Sequence, residues 1–353
     1  MKKLRYALIG CGRISPNHVA AVKQLERDLE FVAVCDIDGA NMQNICETFE
    51  LDQLGVKRYT DYREMLDNEE IELAAIATPS GEHAEIAAYC LEHGVHLIVE
   101  KPITLSLAEA DRLIELADKN QLVLCVSHQN RFNKSIVKIR EAVESGAFGR
   151  MLHGTAHVRW NRSQEYYTQA PWRGTWEQDG GALMNQCIHN IDLLRWMMGD
   201  EVAEVFAYTD NLQHGYIDAE DLGLAVVKFA NGAYGMIEGT TNVFPRNLEE
   251  TLYLFGETGT VKAGGKSVNV IEEWLFADAS EDAEAVKREY GENPPNVYGF
   301  GHLPLCDVVD AVRESARYRR TRDAVRSSWF WQFTNRRRRA AGSSAAGNAN
   351  DGF

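Results

Sequence analysis

Leu4-Arg5-Tyr6-Ala7-Leu8-Ile9-Gly10-Cys11-Gly12-Arg13-Ile14-Ser15 begins as an apolar run and breaks on two glycines one residue apart. The run reads as a buried strand, and residues 18–29, whose apolar positions have helical spacing, read as the helix that follows. A second apolar run, residues 31–35, ends at Asp36. Strand, glycine turn, helix and strand make a βαβ unit. In such a unit the glycines let the chain turn tightly and let a pyrophosphate approach the backbone, while the helix N-terminus offers N–H groups and the positive end of its dipole. Gly10, Gly12, Arg13 and Ile14 are therefore expected contacts of a dinucleotide. Asp36 is the expected partner of the adenosine ribose hydroxyls, and its charge repels a 2′-phosphate, which favours NAD over NADP. The third motif position holds Ser15 instead of Gly or Ala, a change expected to loosen helix-to-strand packing while leaving the phosphate contacts in place.

The alternation continues outward. Helices are expected over 40–49 and 62–68, a strand over 73–77, a helix over 82–93 and a strand over 95–99. Then come a helix start at Thr104, a helix over 107–120 and a strand over 123–126. Strands alternating with helices argue a parallel, doubly wound sheet, so residues 1–128 are expected to form an NAD-binding Rossmann domain. Ligands bind at the carboxyl ends of strands in such sheets. The loop 78–83, with Thr78, Pro79 and His83, is there expected to flank the nicotinamide. Glu100-Lys101-Pro102 closes a strand at the same end, which makes Glu100 and Lys101 expected cofactor neighbours and Lys101 the first candidate for a catalytic group.

After a helix over 134–145 the texture changes to strand-like runs at 152–160, 202–210, 222–229, 233–241, 251–255 and 267–277, with Asn231-Gly232 a hairpin signal. Successive strands with short turns argue an α+β domain on a mostly antiparallel sheet, residues 129–312. Between its first two strands a helix is expected over 180–192. On it Asn185, His189 and Asp192 fall at i, i+4 and i+7, on one face. An imidazole flanked by an amide and a carboxylate is equipped to take a proton from a hydroxyl.

The chain has 353 residues, 45% hydrophobic and 25% charged, as expected of an ordinary globular protein of about two domains. A formal net charge of −15 argues against nucleic-acid partners and anionic membranes. Seven scattered cysteines read as reduced thiols, no Cys-x-x-Cys or His-rich spacing suggests a metal, and no apolar run is long enough to span a bilayer, so a cytoplasmic protein is expected. Residues 313–353 hold ten arginines, no lysine and three acids, so the rest of the chain, with 27 basic and 49 acidic residues, carries a formal −22. This basic end reads as an atypical, flexible tail, in which Trp329-Phe330-Trp331 is expected to be exposed.

Gly10-Cys11-Gly12-Arg13-Ile14, Glu100-Lys101-Pro102, and Gly180-Gly181 followed by His189 and Asp192 resemble the glucose-fructose oxidoreductase / inositol dehydrogenase (Gfo/Idh/MocA) family over roughly residues 4–312. The resemblance implies NAD(P)-dependent sugar oxidation by a Rossmann domain and an α+β domain whose open-faced sheet carries the substrate site and mediates homo-oligomerisation, as a dimer or tetramer. It also implies catalytic roles for Lys101 and His189. Many members carry Asp where this chain has Asn185, which can orient a sugar hydroxyl but cannot act as a base. The stretches 157–162, 166–167, 170–176 and 184–194 look like those of the UDP-N-acetylglucosaminuronate 3-dehydrogenases of bacterial surface-polysaccharide synthesis. Arg159, Arg162 and Arg173 beside Tyr166 and other aromatic residues suit a nucleotide-sugar acid, through fork-shaped anion contacts and stacking. The resemblance implies substrate contacts from Lys101, Asn185, His189 and Asp192 as well, and in some members 2-oxoglutarate recycles the cofactor. Alternatives are a dehydrogenase or ketoreductase of another sugar or cyclitol, and a non-catalytic NAD-binding sensor.

Overall fold

The opening apolar run forms β1 (Leu4–Ile9), fully buried from Tyr6 onward, as befits a strand covered on both faces of a parallel sheet. The computed structural model describes residues 2–199, 201–278, 281–291, 305 and 308–313. After β1 come α1 (Ser15–Gln24), β2 (Leu29–Cys35), α2 (Gly39–Phe49), β3 (Lys57–Tyr59), α3 (Tyr62–Asn68), β4 (Leu73–Ile76), α4 (His83–Glu92), β5 (His96–Glu100), α5 (Leu107–Asn120) and β6 (Leu124–Ser127). All six strands pair in parallel, in the order β3-β2-β1-β4-β5-β6. The order reverses between β1 and β4, which opens a crevice at their carboxyl ends.

Local chemistry explains where the elements depart from expectation. α1 stops at Gln24, short of residue 29, because Leu29 already pairs with Leu4 as the first residue of β2. The edge strand β3, with no apolar run, was not expected; pairing with β2 alone defines it. α5 covers the expected 107–120, and the helix start placed at Thr104 is early: Ser106 is the N-cap, and the Thr104 hydroxyl donates to Glu109 Oε2 at 2.6 Å. Ser15, expected to loosen helix-to-strand packing, is fully buried, and its hydroxyl donates to the Gly12 carbonyl at 2.6 Å within the glycine turn.

The second sheet is built from β7 (Met151–Arg159), β8 (Val202–Asp210), β9 (Leu222–Phe229), β10 (Tyr234–Thr240), β11 (Glu249–Gly256), β12 (Gly259–Gly264) and β13 (Val270–Phe276). Its order is β13-β12-β11-β7-β10-β9-β8, antiparallel except for the β7–β10 pair. The helices of this half are α6 (Lys134–Glu144), α7 (Gln164–Thr168), α8 (Gly181–Asn185), α9 (Ile188–Met198) and α10 (Ala283–Gly291). The apolar side of α9, with Leu193, Leu194 and Met197, packs with Ile136 and Ile139 of α6 on residues of β7, β9 and β11. The other face is open, with Phe206, Tyr208, Leu224, Val226, Tyr234 and Met236 exposed along β8, β9 and β10.

Two expectations fail here. The strand over 267–277 begins only at Val270, because Val268 sits at φ 50°, and the glycine-bounded β12 before it was overlooked. The helix over 180–192 is two helices: the N–H groups of Gln186 and Cys187 both reach back to the Ala182 carbonyl, which ends α8 before α9 starts.

Leu305, Val308, Val309 and Val312 return to the first half and pack into the core containing Tyr6, Leu8, Val19 and Val22. Arg313 Nη2 lies 2.6 Å from Asp28. Expectations for the rest of the basic end, Trp329-Phe330-Trp331 included, lie outside the described residues. None of the six described cysteines forms a disulfide, and among the described residues no helix is long and apolar enough to cross a membrane.

Gly10 has φ 94°, and a Cβ there would lie 2.5 Å from the carbonyl carbon of Ala77. Gly10→Ala is therefore expected to destabilise the fold by about 2 kcal/mol or more, read as a lowered urea midpoint, with NAD affinity falling alongside.

Candidate functional site

Asp36 closes β2 and organises the first wall of the crevice. One carboxylate oxygen accepts from the Cys11 N–H at 2.7 Å and the other from the Asp38 N–H at 2.8 Å, which ties the glycine turn to the β2–α2 turn. A carboxylate has lone pairs left for hydroxyl donors. A Cβ on Gly12 would meet nothing within 4 Å, so the turn faces open space where a diphosphate fits against the N-terminus of α1. Arg13 is exposed beside it and Ile14 is the N-cap of α1. Ile37, next to Asp36, leaves an apolar side chain 90% exposed, a feature that the sequence reading missed. These residues fit a dinucleotide.

The loops after β4 and β5 form the opposite wall. His83 is buried, with Nδ1 2.8 Å from the Pro102 carbonyl and Nε2 2.9 Å from the Thr78 carbonyl. Each ring nitrogen faces a main-chain carbonyl, one of which a neutral ring can donate to, so His83 bridges the two loops and turns neither nitrogen toward a cofactor, contrary to expectation. Thr78 and Pro79 remain at the crevice as the residues that follow β4. Glu100 meets His18 Nε2 at 2.9 Å. Burial works to raise the Glu100 carboxyl, but the hydrogen bond and charge of His18, then Lys101, outweigh it and hold it below the usual carboxylate range.

Lys101 follows β5 and crosses to the second half of the molecule. Its Nζ donates to the Asn185 carbonyl at 2.8 Å, an acceptor left open because α8 ends there. The Asn185 amide donates to Asp179, whose other oxygen accepts from the Gly174 N–H at 2.7 Å. Burial lowers the Lys101 pKa, while Glu100 and Asp179 work to raise it.

His189 stands in the first turn of α9. Its Nε2 is 3.4 Å from the Gln129 amide nitrogen, its ring meets His128 edge to face at 5.6 Å, and its Nδ1 is buried with no hydrogen-bond partner among the described residues. Burial drives its pKa well below the usual imidazole range, and Lys101 and His128 push the same way, so the ring is neutral and able to accept a proton. The single face expected for Asn185, His189 and Asp192 does not exist, because the break at Gln186-Cys187 separates the first from the other two. Asp192 points to Arg131, which grips it bidentately at 2.6 and 2.5 Å. It is a buried ion-pair partner, not the substrate contact that was expected. Burial would raise its carboxyl, but His128 and Arg131 hold it below the ordinary value.

Three of the four expected anion-site residues come together. Tyr166 lies between two guanidiniums, Arg162 at 5.0 Å and Arg173 at 4.3 Å from its ring centre. Gln186 donates to the Tyr166 hydroxyl at 2.8 Å and accepts from Arg162 at 3.1 Å. Arg159 is a correction: its guanidinium is held between Glu238 and Glu249, two carboxylates that neutralise it. His18, His128, Arg131 and Gln186 were missed, since each acquires its place through a partner distant in sequence; Asp179 was missed although its hydrogen-bond partners, Gly174 and Asn185, are close in the chain.

Residues 4–128 match an oxidoreductase family with an NAD-binding Rossmann fold, and residues 136–262 match the GFO/IDH/MocA C-terminal domain. Among solved structures the chain is similar to the WlbA dehydrogenase from Bordetella pertussis in complex with NADH and UDP-GlcNAcA, at 39% identity and a TM-score of 0.82, with 89% of each chain covered. It is also similar to the WlbA dehydrogenase from Chromobacterium violaceum with the same two ligands, at 35% identity and a TM-score of 0.74, over 91% of this chain and 95% of that one. A curated relative, the myo-inositol 2-dehydrogenase of Thermotoga maritima, is 28% identical over 264 residues, 74% of this chain and 75% of its own. The first sheet is thus an NAD-binding Rossmann fold.

Asp192→Asn is expected to cost about 2 to 3 kcal/mol, because it leaves the Arg131 guanidinium without that charge. The pH dependence has a definite sign. A carboxyl held below its unfolded value contributes stability that is present above that value, about 3.9, and lost as pH falls through the folded one. Urea unfolding between about pH 3 and 6 should therefore show a steeper acid loss in the wild type than in the variant.

Proposed function

Because the chain belongs to the GFO/IDH/MocA oxidoreductase family, we propose that it oxidises the 3-hydroxyl of UDP-N-acetylglucosaminuronate with NAD, in bacterial surface-polysaccharide synthesis. The observation that carries this reading is the Arg162–Tyr166–Arg173 cluster, joined through Gln186 to the end of α8, where the neighbouring Asn185 carbonyl holds Lys101. Two guanidiniums around one aromatic ring offer a diphosphate or carboxylate its charge partners and a base a surface to stack on. The WlbA dehydrogenases, solved with NADH and UDP-GlcNAcA, support the same substrate.

Gly10, Gly12, Arg13, Ile14 and Asp36 would hold the dinucleotide, with Thr78, Pro79 and Glu100 toward its nicotinamide end. NAD, when bound, supplies the hydride acceptor. His189, neutral in its crevice, takes the hydroxyl proton. Lys101 hydrogen-bonds the same oxygen and stabilises the negative charge that develops there. Asn185 holds Lys101 by its main-chain carbonyl. In this reading residues 1–128 bind the cofactor and residues 129–312 the substrate, and 2-oxoglutarate serves as a second substrate that regenerates NAD. The enzyme works in the cytoplasm, where its described cysteines stay as thiols.

A second reading, oxidation of a free sugar or cyclitol, is favoured by curated relatives such as the myo-inositol 2-dehydrogenase. Absorbance of NADH separates the two: turnover is expected with UDP-N-acetylglucosaminuronate, whereas turnover with myo-inositol or glucose alone would establish the second. Lys101→Ala and His189→Ala are each expected to lower kcat by about a hundredfold or more while leaving NAD affinity within about threefold by fluorescence titration.

The open face of the second sheet supports assembly into a homo-oligomer, a dimer or tetramer. Phe206 is 63% and Tyr208 71% exposed in a continuous apolar strip, an arrangement that marks an interaction surface. Phe206→Glu is expected to shift the sedimentation coefficient toward that of a monomer; an unchanged coefficient would move the interface elsewhere.

A further inference from the structure

Burial opposes the charge of Lys101 and lowers its pKa. Its direct acceptor, the Asn185 carbonyl, is neutral. Of the carboxylates near it, Glu100 already serves His18. The other is Asp179, 2% exposed, which comes from the segment between α7 and α8. Asp179 takes the Gly174 N–H on one oxygen and the Asn185 amide on the other. Asn185 therefore holds an ammonium by its carbonyl and a carboxylate by its side chain, so two opposite charges meet across one residue.

We infer that Asp179, acting through Asn185, is the positioning residue of Lys101, fixing where the ammonium sits and keeping it charged. The inference rests on the reading of Lys101 as the group that meets the reacting oxygen. The groups that face Lys101 are Glu100 of β5, Asp179 and Arg173 from the segment before α8, Cys187 at the α8–α9 break, His189 of α9, His83 of α4 and His128 after β6. Arg173 opposes the ammonium. Burial keeps the Cys187 thiol protonated and His189 neutral, and it lowers the pKa of His83 and His128. Glu100 and Asp179 are left to offset the desolvation of the lysine. Burial raises the Asp179 carboxyl as well, while the Gly174 N–H, Asn185, Arg173 and Lys101 work to lower it, so the two opposite charges support each other.

An aspartate that merely closed the Gly174 turn would leave the proton of Lys101 where it is. The test is trace labelling of Lys101 with acetic anhydride across pH, read by mass spectrometry on the full chain, for the wild type, Asp179→Asn and Asn185→Ala. Asp179→Asn keeps an oxygen for the Gly174 N–H but removes the charge. Its labelling midpoint is expected to fall by about one pH unit, giving about tenfold more free amine at a fixed pH on the rising limb. The corresponding limb of kcat against pH should move with it. Asn185→Ala, which cuts the link, should shift the curve in the same direction. An unchanged labelling curve in folded Asp179→Asn overturns the inference, and if that variant fails to fold, an unchanged curve in Asn185→Ala does so. Labelling needs no substrate. A shifted curve in a protein that oxidises no sugar therefore supports the positioning role and counts against the proposed reaction.

Discussion

The arrangement depends on one hydrogen bond, from the ammonium of Lys101 to the carbonyl of Asn185. It joins the end of a strand in the parallel sheet to the end of a helix lying on the other sheet. The acceptor exists only because α8 is five residues long and stops there. A continuous helix from 181 to 198 would use that carbonyl internally and leave the ammonium without its main-chain partner. The break is therefore a constraint on the chemistry as much as a feature of the fold. It also places Cys187 and Gln186 between the lysine, the histidine and the arginine cluster.

Much of this was legible in the sequence where the signal is local. The Gly10-Cys11-Gly12 turn, the acid closing β2 and the lysine closing β5 are each fixed by neighbours a few residues away, so their places follow from periodicity and turn chemistry. Long-range pairing was not legible. Arg159 looked like an anion contact, but Glu238 and Glu249 come to it from β10 and β11, across 79 and 90 residues of chain. Asp192 looked like part of a catalytic stripe because helical spacing runs unbroken through 186–187. Nothing in that spacing reveals that two N–H groups return to Ala182. His83 lay in the expected loop, but its ring is spent on two carbonyls that only the fold brings together. β12, bounded by glycines, gave no apolar run to find.

The charges in the crevice are arranged in a graded way. His189 is neutral, Lys101 is balanced by two carboxylates, and Asp192 is saturated by Arg131 beneath them. A strongly acidic chain concentrates positive charge at Arg162 and Arg173, beside one tyrosine, while Arg159 nearby is cancelled by its own acids. Specificity for an anion then depends on which arginines the fold leaves without an ion pair among the described residues, more than on how many the segment contains.

The return of Leu305, Val308, Val309 and Val312 to the core around Tyr6 and Leu8 bears on how the protein is made. During synthesis the N-terminal half leaves the ribosome first, yet one side of its apolar interior stays uncovered until about 300 residues have been added. The contact between Asp28 and Arg313 spans 285 residues, so the dinucleotide-binding half is closed only by the end of the described chain. The second sheet is complete by Phe276, before that closure. Synthesis order and completion order are thus reversed for the two halves, and any change near residue 305 acts on the maturation of the half that is translated first.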